Sequence, residues 1–105
     1  MLAPMLVLAS ATWYAGGSKC ANGRTPAENR ARYGLCAACN QGRLGDKVLA
    51  SRGGRRVLVT ITDRIGAHSD LDLRPEAAKV LLGPRYKFVG RVNGVHLWVI
   101  ERRRK

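Results

Sequence analysis

The chain has 105 residues, 46 % of them apolar, with 19 Lys and Arg against 7 Asp and Glu for a formal charge of +12. That length holds one domain with its own core and leaves no room for a second. The charge points to an anionic partner: an acidic wall polymer, nucleic acid, an anionic membrane surface or an acidic protein.

The first residues, Met1 to Ala9, are apolar and lead into Ala9-Ser10-Ala11. No basic segment precedes them and Pro4 interrupts the run, so the expectation is an N-terminal arm over 1–8 and not a cleaved leader. No run reaches the roughly 20 apolar residues of a membrane span. A barrel domain is expected over 9–101, followed by the basic tail 102–105. Trp13 and Tyr14 close the first strand pattern, Ala11-Thr12-Trp13-Tyr14. The stretch from Gly16 to Arg30, rich in Gly, Asn and charge, reads as a loop.

Next come the compact run Gly34-Leu35-Cys36-Ala37-Ala38-Cys39 and the turn Leu44-Gly45-Asp46. Two β-rich runs, Lys47 to Ser51 and Arg55 to Thr62, flank Arg52-Gly53-Gly54 and predict a hairpin. A second hairpin is predicted about Asn93-Gly94, between runs starting at Lys87 and Val95. Between the hairpins, Pro75 to Gly83 predicts one short helix: Pro and Glu open it, Ala77, Ala78, Leu81 and Leu82 supply an apolar side, and Gly ends it.

Three of the four aspartates, Asp63, Asp70 and Asp72, fall within ten residues of a strongly basic chain. Alternation along Val57, Val59, Ile61 and Asp63 places Asp63 at the rim of an inward-facing stripe. A carboxyl there suits a general acid, or a turn-closing or ion-paired role beside Arg64. Asp72 precedes the helix and is a candidate either for chemistry or for capping the helix entry. His68 and Asp70 lie in the connecting loop; His96 reads as structural. The Cys36-x2-Cys39 spacing, with Cys20 and His68, is a zinc-ligand candidate without a second paired knuckle, and neither metal nor cofactor is expected.

In their order, Ala11-Thr12-Trp13-Tyr14, Gly34 to Cys39, Thr62-Asp63-Arg64 and His68 to Leu73 resemble the barrel shared by the rare lipoprotein A family of septal lytic transglycosylases and domain 1 of expansins. The resemblance implies a mainly β fold, a six-stranded double-psi β-barrel with one short helix, acting on cell-wall glycan. It implies that Asp63 protonates the glycosidic oxygen and then accepts the muramyl hydroxyl proton as the 1,6-anhydro ring closes. Asp72 would steady the oxocarbenium-like charge. Trp13, Tyr14 and Tyr33 become candidates for a sugar platform, and Arg64, His68 and Asp70 for substrate contacts.

Two departures matter. Cys39 stands where the bacterial family has its histidine. The cysteine-bearing run is closer to the expansin pattern, which implies a bridge from Cys20 to Cys36 or Cys39, worth about 3 kcal/mol by loop closure. Three expectations follow: a peptidoglycan lytic transglycosylase, a non-catalytic expansin-like binder of anionic glycan, or a structural subunit of a virion or other assembly, contacting protein neighbours through arm and tail. The implied setting is the cell envelope, the exterior or a virion. Specific nucleic-acid binding is not expected, because the basic residues show no aromatic-interleaved motif.

Overall fold

The computed structural model describes residues 5–15, 17, 19–65 and 70–101. Six strands close a barrel: β1 (Met5–Trp13), β2 (Cys36–Cys39), β3 (Lys47–Arg52), β4 (Arg55–Asp63), β5 (Leu71–Leu73) and β6 (Val92–Glu101), in spatial order β1-β5-β2-β4-β3-β6. β1 runs parallel to β5 and β2 parallel to β4, while the remaining neighbours are antiparallel. This is the double-psi β-barrel. Two helices, α1 (Pro26–Tyr33) and α2 (Pro75–Leu82), accompany it.

The hairpin at Gly53-Gly54 forms as expected, with Arg52 opposite Arg55 and both glycines at positive φ. Two consecutive positive φ values suit the twist of paired strands and favour glycine. Val48, Ala50, Val59 and Ile61 then alternate into the core, where they are fully buried. Ala11, Ala37 and Ala50 line the same interior; a six-stranded barrel is too narrow to fill with large side chains alone. On one side of the barrel α2 lays down Ala77, Ala78 and Leu81, all at 0 % exposure.

Three expectations are corrected. The stretch read as a loop to Arg30 contains the start of α1, because Thr25 and Glu28 form a reciprocal capping box. Residues 5–8, expected in an arm, belong to β1 and pair with β6, while residues 1–4 lie outside the described residues. Asn93-Gly94 makes no hairpin: both residues lie inside β6, and the register shifts from Ala9 opposite Val95 to Ala11 opposite Val92. One extra residue on β6 makes a bulge, which the positive φ of Gly94 accommodates. His68 and the tail 102–105 lie outside the described residues. No helix among those residues is long and apolar enough to cross a membrane.

Candidate functional site

Ala38 of β2 opposes Asp63 on β4 and Asp72 on β5, so the two acids sit on strands either side of β2, two strand spacings or about 10 Å apart. The apolar stripe of β4 runs inward as far as Ile61. A register shift between Ala37 and Ala38 then turns Asp63 toward the loop before α1. Its Oδ1 accepts from the backbone N–H of Ala21 at 2.8 Å and of Arg64 at 2.9 Å. That oxygen therefore anchors the loop to the barrel end.

Asp72 lies between Leu71 and Leu73, which face the core, and so points to the other side of β5. It is 8 % exposed, and its Oδ1 accepts from Thr12 Oγ1 at 2.7 Å. It does not cap α2: Arg74 holds the N-cap position, and no side-chain cap bond is made. Asp70 Oδ2 accepts from the Ser10 backbone N–H at 2.9 Å, beside the β6 bulge. Each of the three clustered acids thus ties one segment to another.

Sequence reasoning passed over the most buried acid. Asp46 has 0 % exposure, and its Oδ2 accepts from Arg43 N–H at 2.9 Å. The turn closes tightly enough that a Cβ on Gly42 would meet Asp46 Oδ2 at 3.1 Å. Asn40 was missed as well. Its side chain bonds Ile65 O at 2.8 Å and Ile65 N–H at 3.2 Å, fixing the exit of β4 beside Cys39. The turn Leu44-Gly45-Asp46 was legible; the partners of its acid were not.

The aromatic candidates do not gather into one platform. Trp13 packs edge-on against Tyr86, with centroids 5.1 Å apart at 85°. Tyr14 lies under the Arg74 guanidinium at 4.8 Å. Tyr33 ends α1, with the Arg32 guanidinium 5.5 Å from its ring. Arg64 reaches back to donate from Nη1 to Cys39 O at 2.9 Å, so it fastens β4 to β2.

All three cysteines are buried free thiols. The bridge expected from Cys20 to Cys36 or Cys39 is not made. Ala37 and Cys39 belong to the core, whereas Cys36 faces the opposite side of β2 and donates from Sγ to Gly34 O at 3.3 Å. The x2 spacing on a strand therefore splits the pair across two faces, where a zinc knuckle needs both sulfurs on one. The Thr62 side chain stands beside both Cys20 and Cys36. Burial pushes all three thiols above their ordinary value, so they stay protonated at neutral pH and are poor nucleophiles. Tyr14 is pushed up to about 12 by burial first, and then by Cys20 and Asp63.

Beside this polar cluster, α1, the loop before it and the start of α2 enclose an open cleft of about 900 Å³. Lys19, Arg30 and Arg74 line it, together with Thr25, Cys36 and, as the one carboxylate among the described residues, Glu76. The loop before α1 is tied to the barrel by Ala21 N–H to Asp63 Oδ1 and Asn22 N–H to Thr62 O, and Arg30 of α1 lines the cleft. Arg74 arrives from the end of β5. None of the three cations stood out in the sequence, because their convergence depends on α1.

No family model matches the chain, and no curated protein matches it in sequence. Among solved structures, the Streptomyces papain inhibitor superposes with a TM-score of 0.67 at 23 % identity, over 91 % of this chain and 96 % of that one. Likeness at that identity establishes the shared barrel and no more.

Proposed function

We propose that the chain is a non-catalytic binding module that holds an anionic wall glycan in the cleft between α1 and α2. The observation that carries the reading is the convergence of Lys19, Arg30 and Arg74 on one open cleft whose described lining has Glu76 as its carboxylate. A carboxylate- or phosphate-bearing polymer meets guanidinium groups there, which form bidentate, charge-assisted bonds. Glycan, among polyanions, rests on the resemblance of the four motif blocks.

Binding is favoured over lytic chemistry because the acids hold structure together. Asp63 Oδ1 serves two backbone amides, and Asp72 is buried against Thr12. Cys39, at the resembling family's histidine position, is sealed in the core at 0 % exposure and offers nothing to a substrate.

The test is sedimentation with insoluble peptidoglycan at low and high salt, with mass spectrometry of the supernatant. Binding that weakens steeply with salt, is lost in the double variant Arg30→Glu, Arg74→Glu and survives Asp63→Asn is the expected result. Soluble anhydromuramyl fragments that disappear in Asp63→Asn would replace this reading with an enzymatic one. The structural neighbour's name supplies the competing reading, inhibition of papain. Stoichiometric inhibition of papain in the absence of any wall binding would install it.

A further inference from the structure

The most exposed large apolar side chain among the described residues is Phe88, at 89 %. It sits in the short 3-10 turn Tyr86–Phe88, well away in sequence from the acids and from α1. Its neighbours in the chain are cationic and exposed: Arg85, Lys87 and Arg91. From Ala77 to Ile100 the sequence contains no Asp or Glu, while Lys79, Arg85, Lys87 and Arg91 give that stretch four cations.

The turn is built to hold Phe88 outward. Tyr86 and Val89, on either side of it, pack against the barrel core, and Tyr86 is gripped edge-on by Trp13. Backbone bonds from Tyr86 N–H to Gly83 O, Phe88 N–H to Arg85 O and Val89 N–H to Tyr86 O brace the segment internally, at 3.1, 2.9 and 3.1 Å. A side chain displayed on a braced turn loses little further freedom when it docks.

We propose that residues 84–91 are a docking site for an anionic lipid bilayer, with Phe88 entering the acyl boundary and Arg85, Lys87 and Arg91 meeting lipid phosphates. An apolar wedge ringed by cations has the two complementary features of that surface: hydrocarbon behind a layer of negative charge. Phe carries no polar handle to satisfy on entry. A nucleic-acid strand fits the turn less well, since stacking platforms use successive aromatic faces and Tyr86, the nearest other ring, is committed to Trp13.

The experiment is co-sedimentation of the full chain with phosphatidylcholine vesicles and with vesicles containing phosphatidylglycerol. The chain binds the anionic vesicles and leaves the neutral ones. Phe88→Ser weakens that binding about tenfold, as partial burial of one Phe side chain requires. The double reversal Lys87→Glu, Arg91→Glu weakens it by more, each cation near such a surface being worth about fivefold. Phe88→Trp, in a background with the native tryptophans changed to Phe, shows blue-shifted emission on anionic vesicles only.

Unchanged far-ultraviolet circular dichroism establishes that these surface variants are folded. Equal binding by Phe88→Ser and the parent chain overturns the proposal, because charge alone would then account for it. Retention on single-stranded DNA that is equally sensitive to Phe88 overturns it in favour of nucleic acid. The cleft variant Arg30→Glu, Arg74→Glu retains vesicle binding and Phe88→Ser retains wall binding, so this inference and the glycan reading fail separately.

Discussion

The two helices are the same length, eight residues each, yet they are held in opposite ways. α1 has the local signals of a helix and almost no apolar face. Thr25 and Glu28 close a capping box, Pro26 occupies the first turn, Arg30 and Arg32 sit in the last, and the buried residue is Asn29. α2 lacks a side-chain cap, because Arg74 occupies the N-cap position, and buries Ala77, Ala78 and Leu81. An isolated eight-residue helix is unstable in water whatever its caps. α2 therefore stands on packing, and α1 on its caps and a few polar contacts. The contrast has a functional side: α2 gives the core its apolar face and the cleft only its first turn, while α1 carries a wall of the cleft.

The largest effect that would break this comparison is at Leu81. Truncation to Ala removes a fully buried side chain between α2 and the barrel, and costs about 2–5 kcal/mol of global stability. Urea unfolding followed by far-ultraviolet circular dichroism measures it. A loss below about 1 kcal/mol would mean that α2 is no more embedded than α1.

The next effect is at Asn29, the buried residue of α1. Its Oδ1 accepts from Asn22 Nδ2 at 2.7 Å and its Nδ2 donates to Asn22 Oδ1 at 3.2 Å. Asn29→Ala leaves the half-buried Asn22 amide short of partners, for about 1–3 kcal/mol. The double variant Asn22→Ala, Asn29→Ala should cost less than the two single losses added together, since the second change removes a group the first left unsatisfied. Strict additivity would show that the amide pair contributes nothing beyond its separate contacts. Binding to wall should fall with Asn29→Ala even where the barrel remains folded, because Arg30 is the next residue along α1.

The same contrast explains what the sequence could reveal. Apolar periodicity marked α2, the Gly53-Gly54 hairpin and the inward stripe of β4, and the order of the motif blocks carried the barrel. Those signals concern what is buried. α1 lacks an apolar stripe, and its start was legible only in the Thr25-to-Glu28 spacing, a capping signal that composition obscured. Asn93-Gly94 has the residues of a tight turn, but a positive φ serves a bulge equally well, and only pairing with β1 decides between them. Asp63 could be placed at the end of an inward stripe. That the register shift at Ala38 would turn it to the Ala21 amide could not, since a bulge depends on the partner strand. The cleft was invisible for a related reason: Lys19, Arg30 and Arg74 are far apart in sequence, and α1 brings them together.

The smallest effect sharpens the comparison at the cap itself. Thr25 Oγ1 accepts from Glu28 N–H at 3.2 Å, and Glu28 Oε1 accepts from Thr25 N–H at 2.8 Å. Thr25→Ala should cost about 1 kcal/mol, and the loss should appear as faster amide exchange within α1 while the exchange of α2 is unchanged. The box also carries a pH signature of known sign. The hydrogen bonds to Thr25, backbone first, hold the Glu28 carboxyl below its ordinary value of 4.5. A carboxyl depressed in the folded state contributes stability that is present above that ordinary value and is lost as the pH falls through the folded one. Glu28→Gln keeps a hydrogen-bond acceptor but cannot titrate, so α1 in that variant should lose less protection on acidification than α1 in the parent chain. Equal acid sensitivity of α1 in the two proteins would mean that the cap does not hold the helix. The distinction between a helix fixed by its ends and one fixed by its face would then fail at α1.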